Sequence, residues 1–244
     1  YFDTMILHYL ELSDIMMVEG DSCEDLLNFF VKIEKKNDVL EFLFLEIDIF
    51  VLLIKFTKSK QKFEYFCHKI VELIQDKEKI VRIFLAKDLD GNNALRSQIY
   101  NNYYRKKTDL FVFLFDQIYC KHVQLEDFIY EKDSYGNNFC HNLMMYASLS
   151  YFEHSVNYIK SQLSNEKFNE FLRLKNNAKQ NILHLSVNYF YEIDEKVWIY
   201  IKKLFENCQE IREMLMEKDE NNYFPLNYVR EKSIDGRKII LSFY

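Results

Sequence analysis

Three places in this 244-residue chain set a thiol beside an imidazole: Cys67-His68, Cys140-His141 and Cys120-x-His122. Thiolate and imidazole are the donors that zinc prefers, so each pair invites a metal reading. The wider spacing argues against it. The cysteines (Cys23, Cys67, Cys120, Cys140, Cys208) are scattered, odd in number and never in C-x-x-C spacing, which suits neither a zinc ribbon nor a disulfide framework. Glu210, Glu213, Glu217, Asp219 and Glu220 could supply a carboxylate pair for acid–base work. They alternate with Arg212 and Lys218, however, as a solvated helix face does. The chain has no G-x-S-x-G, P-loop, H-E-x-x-H or G-x-G-x-x-G, and its four glycines are too few for a phosphate-cradling loop. The expectation is a chain with no catalytic residue, no metal and no cofactor.

Charge and hydropathy exclude two further classes. A net charge of -6 gives no electrostatic reason to hold a phosphate backbone, so nucleic acid is not an expected partner. The one dense basic cluster, Arg105-Lys106-Lys107, reads as a solvated helix start or loop. The apolar run from Phe42 to Phe56 is broken by Glu46, Asp48 and Lys55, and no segment reaches the roughly 18 apolar residues of a membrane span. Unpaired cysteines point to a reducing compartment, hence an intracellular location, cytoplasmic or nuclear.

What must position these side chains is a repeated segment. Lys132-Asp133-Ser134-Tyr135-Gly136-Asn137-Asn138-Phe139-Cys140-His141 has echoes that begin at Lys87, Lys175 and Lys218. Aligning Asp88, Asp133, Asn176 and Asp219 gives steps of 45, 43 and 43 residues, the signature of stacked units. Asp88-x-x-Gly91 and Asp133-x-x-Gly136 are turn chemistry: the carboxylate accepts local amides and glycine supplies a positive φ. Asn93, Asn138 and Asn181 stand where a helix N-cap is needed, and Pro225, the only proline, falls at a first helical position.

Each turn leads into a first helix. A second, amphipathic helix follows, with Val156, Ile159 and Leu163 in one copy and Val197, Ile201 and Phe205 in another. A short third helix is predicted over 76–85, 124–129, 165–172 and 209–215. Trp198 reads as core, as does Cys140, which takes the slot of Leu95, Leu183 and Leu226. Tyr100, Tyr103 and Tyr104, like Tyr189, Phe190 and Tyr191, cluster at the predicted end of a first helix. Weaker copies are read upstream at Ile6-Leu7-His8 and Phe42 to Glu46, making about six units.

The order of turn, cap, apolar residue, Leu and His, then helices, resembles the ankyrin repeat, D-x-x-G-x-T-P-L-H-x-A. Asp133, Gly136 and His141 match in one copy, Leu183, His184 and Ser186 in another, and Asp219, Pro225 and Leu226 in the last. Asn replaces the usual Thr in three copies and keeps a capping oxygen. The family's small residue is replaced by Gln98, Leu143 and Val229. The period exceeds the family's usual length, and the third helix absorbs the difference; a HEAT or armadillo-type array is the alternative on period alone. The resemblance implies an all-α, ankyrin-like α-solenoid over 1–244, degenerate in 1–82 and clearer in 83–244, in which His141 and His184 tie each turn to its neighbour.

A solenoid of this kind implies a non-catalytic module that binds another protein across its repeat surface. The expected partner-binding positions are the turn tips Asp90, Asn92, Tyr135, Asn137, Lys179, Gln180, Asn222 and Tyr223. The open start at Tyr1 and the short final copy also fit a regulatory or targeting region of a larger enzyme, channel or effector. Incomplete terminal repeats would in addition permit self-association.

Overall fold

The computed structural model describes residues 11–12, 14–16, 24–33, 59–88, 90–105, 110–189, 195–205 and 208–228, and every regular element among them is helical. The upstream copies read at 6–8 and 42–46, along with Lys106, Lys107, Phe190, Tyr191, Val229 and the tail 237–244, lie outside the described residues. Among the described residues no helix is long and apolar enough to cross a membrane. The chain divides into two compact units, Tyr1–Phe128 and Ile129–Tyr244.

The first unit contains α1 (Glu24–Ile33), α2 (Lys60–Leu73), α3 (Lys77–Leu85), α4 (Ala94–Arg105) and α5 (Leu110–Phe113). A π-helical stretch (Leu114–Tyr119) continues α5 into α6 (Cys120–His122), and α7 (Leu125–Ile129) reaches the boundary. Side chains start α2 and α3. Ser59 Oγ accepts the Lys62 amide at 3.2 Å before α2, and Asp76 Oδ1 accepts the Glu78 and Lys79 amides at 2.9 and 3.3 Å before α3. Such caps satisfy amides that have no helical carbonyl to reach, and each contributes about 1 kcal/mol. The π stretch holds more residues per turn than an α-helix, and it lies in the copy that is 45 residues long where the others have 43.

Aromatic packing fills this unit. Phe111 stacks on Phe115 with centroids 5.9 Å apart, and Phe128 meets Phe115 and Tyr119 edge-on at 6.2 and 5.3 Å. Tyr119 is fully buried, and a buried phenol needs partners. Its hydroxyl donates to the Phe84 carbonyl and accepts the Leu95 amide at 3.3 Å, joining the end of α3 to the start of α4.

The second unit contains α8 (Phe139–Tyr146), α9 (Leu149–Gln162), α10 (Asn165–Arg173), α11 (Ile182–Tyr189), α12 (Glu195–Leu204), α13 (Cys208–Leu215) and a 3-10 turn (Pro225–Tyr228). The first helices pack in series: α8 on α11, and α11 on the 3-10 turn. Pro225 opens that turn as expected, although the helix is 3-10 and not α. Val156, Ile159, Val197, Ile201, Phe205 and Trp198 are buried, as read from their spacing, while Leu163 caps α9 at half burial.

The third helices share one pattern. Ile80, Ile83 and Phe84 are buried in α3, Phe128 and Ile129 in α7, Phe168, Phe171 and Leu172 in α10, and Ile211, Met214 and Leu215 in α13. In every copy the last of these stands four residues before the turn residue: Phe84 before Asp88, Ile129 before Asp133, Leu172 before Asn176 and Leu215 before Asp219. Each buried side chain of this size contributes about 2 kcal/mol of burial, which fixes where the next turn begins.

Candidate functional site

The four turns have one hydrogen-bond design. The amide of the first residue donates to the carbonyl four residues on: Asp88 to Asn92 at 3.0 Å, Asp133 to Asn137 at 3.0 Å, Asn176 to Gln180 at 3.0 Å and Asp219 to Tyr223 at 2.9 Å. The side-chain oxygen of that first residue accepts the amide of the fifth, at 2.8 Å in Asp88, 2.9 Å in Asp133, 2.9 Å in Asn176 and 3.0 Å in Asp219. The fourth residue takes positive φ: 80° at Gly91, 75° at Gly136, 58° at Lys179 and 63° at Asn222. Two of the four therefore hold a side chain where glycine is the unstrained choice.

The cap that follows is also repeated. Asn93, Asn138 and Asn181 each accept, through Oδ1, the amide three residues on, from Arg96, His141 and His184 at 3.1, 3.0 and 3.2 Å. In two copies the histidine returns the bond: Nδ1 of His141 accepts the Asn138 amide at 3.1 Å, and Nδ1 of His184 accepts the Asn181 amide at 3.3 Å. Asn227 does the same for the Phe224 amide at 2.7 Å. His184 Nε2 lies 3.2 Å from the Tyr223 carbonyl, which can only accept, so Nε2 carries the proton and Nδ1 is free to serve the cap.

In the second unit these turns stack in register. The Asn177 amide donates to the Tyr135 carbonyl, and, one copy later, the Glu220 amide donates to the Ala178 carbonyl, both at 3.0 Å. A side-chain ladder runs beside them. Asn137 Nδ2 donates to Asp133 at 3.2 Å, Asn176 Nδ2 to Asn137 at 3.0 Å, and Gln180 Nε2 to Asp219 at 3.5 Å and to Tyr228 at 3.2 Å. Burial pushes the Asp219 carboxyl up, but hydrogen bonds from Tyr228, the Tyr223 and Asn221 amides and Gln180 more than offset this and hold it below its ordinary value.

The eight expected tip residues therefore separate into groups. Tyr135 (70% exposed) and Tyr223 (52%) present large aromatic side chains, and Asp90, Lys179 and Asn222 are also exposed. Asn92 and Gln180 are half-buried, and Gln180 is a rung of the ladder. Asn137 corrects the reading from sequence: it is 5% exposed, because the bond from its amide to Asp133 turns its side chain into the ladder and away from the tip.

The groups that suggested chemistry lie in different surroundings. Cys140 is fully buried, and burial pushes its thiol up to about 12; Cys67, also fully buried, has its thiol pushed well up by burial and by Glu64. No group of three His, Cys, Asp or Glu among the described residues is placed to hold a metal ion. The acidic run bridges copies, Glu213 pairing with Arg173 at 2.9 Å and Glu210 accepting from Asn169 at 3.3 Å, while Glu217 pairs with Lys175 at 3.2 Å and, within its own copy, accepts from Asn181 at 2.7 Å. The sequence reading missed the strained position of Lys179, although alignment with Gly91 and Gly136 marks it. Comparison of the chain with protein-family models, curated proteins and solved structures finds no match.

Proposed function

We propose that this chain is an ankyrin-like α-solenoid that binds another protein through its turn tips and performs no chemistry of its own. One observation carries the reading: the two large side chains most exposed on the turns stand on pinned backbone. The Tyr135 amide donates to Asp133 Oδ1 at 2.9 Å and its carbonyl accepts from Asn177. The Tyr223 amide donates to Asp219 Oδ1 at 3.0 Å, and its carbonyl lies 3.2 Å from His184 Nε2. Ordering a flexible side chain at an interface costs about 0.5–1.5 kcal/mol, and ordering the loop beneath it adds to that; a fixed backbone removes the second cost. Tyrosine adds contact area with few rotatable bonds, and binding energy concentrates on such anchors.

The repeated turn, the Asn cap and the His at the third helical position support the ankyrin-like assignment, and the third helix accounts for the long period. An intracellular, reducing setting belongs to the same proposal and is supported by the buried free thiols of Cys67 and Cys140. The test is affinity capture with quantitative mass spectrometry, comparing the chain with Tyr135→Ala and Tyr223→Ala. Partners should fall away in both variants while far-UV circular dichroism and melting temperature hold. Identical recovery from all three proteins would remove the tips as the binding face.

A further inference from the structure

We infer that Lys179 is the specificity residue of this face and that it recognises a carboxylate in an acidic segment of the partner protein; the inference rests on the turn-tip reading above. The position of Lys179 in its turn is held by Gly91 and Gly136 in two other copies, all at positive φ. A β-carbon there is strained, so a lysine works against the fold at a place where glycine would serve it. Its ammonium gives nothing back, because among the described residues it has no hydrogen-bond or ion-pair partner.

The other lysines of the same stack are engaged. Lys132 donates to the Lys175 carbonyl at 3.4 Å, Lys175 pairs with Glu217 at 3.2 Å, and Lys218 lies 5.1 Å over the Phe224 ring. Lys179 alone of these is an exposed charge on a fixed tip. The inter-turn bonds place its turn between those of Tyr135 and Tyr223, the two aromatic anchors. Glu220, whose amide bonds to the Ala178 carbonyl, forms no ion pair with Lys179.

A single cation between two tyrosines fits one carboxylate flanked by apolar or aromatic groups. A polyanion is a poor match, since the chain carries a net charge of -6.

The test uses the whole 244-residue chain and a phage-displayed library of random 12-residue peptides, with selected peptides resynthesised and measured by fluorescence anisotropy. Binders should be enriched in Asp and Glu, and should bind Lys179→Gly about fivefold more weakly, the scale of one exposed ion pair. Lys179→Glu should select peptides enriched in Lys and Arg instead. Lys179→Gly should also melt at a higher temperature than the parent, so weaker binding cannot be blamed on a damaged fold.

Binders without acidic enrichment, binders indifferent to Lys179→Gly, or tighter binding of a single-stranded oligonucleotide would each overturn the assignment. Acidic binders that ignore Tyr135→Ala and Tyr223→Ala would instead defeat the turn-tip reading. A library with no binder would defeat both.

Discussion

Asn177 lies directly over Gly136: a β-carbon built on Gly136 would stand 2.2 Å from Asn177 Oδ1 and 2.7 Å from the Asn177 backbone nitrogen. This closeness follows from the stacking bond between the Asn177 amide and the Tyr135 carbonyl, which draws one turn onto the next. Two penalties therefore fall on one substitution. Gly136→Ala would meet the positive φ of 75° and the neighbouring backbone together, and should lower stability by about 2–4 kcal/mol. Urea unfolding followed by circular dichroism measures it, and an unchanged midpoint would show that the two turns are not so close.

Asp133 and Asn176 occupy the same place in successive turns, and the Oδ1 of each accepts the amide of the fifth residue. The work is done by a side-chain oxygen, which an amide supplies as well as a carboxylate. Asp133→Asn keeps an oxygen for the two backbone amides but sets an NH2 against the Asn137 Nδ2, losing one hydrogen bond, so it should cost about 1 kcal/mol. Asp133→Ala leaves the Tyr135 and Asn137 amides and the Asn137 side chain without their acceptor, and should cost about 2–3 kcal/mol. Equal losses in the two variants would mean that charge, and not the hydrogen bonds, holds the turn.

These turns were legible in the sequence because their residues are used for what they alone do well. Asp88 and Asp133 gather amides, Gly91 and Gly136 take positive φ, and Asn93, Asn138 and Asn181 cap, so type and spacing named the role. Burial of Val156, Ile159, Val197, Ile201 and Trp198 was readable for the same reason. Asn137 was misread because polarity predicts exposure only while no other polar group waits inside, and Asp133 and Asn176 wait there. Lys179 was read as a turn tip but not as a strained position, because φ is invisible in a residue that is not glycine. The π stretch at 114–119 left no mark in the apolar pattern, since its buried Leu114, Phe115, Ile118 and Tyr119 recur at a four-residue step that an α-helix also shows.

Tyr119 offers a test in the first unit. Its hydroxyl is the shared partner of the Phe84 carbonyl and the Leu95 amide, both inside the core. Tyr119→Phe keeps the ring contacts with Phe84 and Phe128 but strands two buried backbone groups, so stability should fall by about 1–3 kcal/mol. Thermal unfolding would record it, and a phenylalanine variant as stable as the parent would mean that water or another group serves both.

Acid should weaken the second unit through its histidines. Burial lowers the His141 imidazole to about 4, against a smaller upward pull from the Gln180 and Leu174 backbone and from Asp133, with Lys132 adding to the fall; burial lowers His184 as well. The capping geometry acts in the same direction as burial, since a protonated Nδ1 cannot accept the Asn138 amide. Unfolded, the same ring takes its proton near pH 6.5. The unfolded chain thus binds more protons between about pH 6.5 and 4, so His141 contributes its full stability above that window and loses it as pH falls through it, by roughly 3 kcal/mol at most. His141→Asn is the informative variant, because Asn227 already makes the same bond to Phe224 in the last copy. Unfolding free energies from pH 7.5 to 4 should fall less steeply for His141→Asn than for the parent, while an undiminished slope would place the titrating group elsewhere.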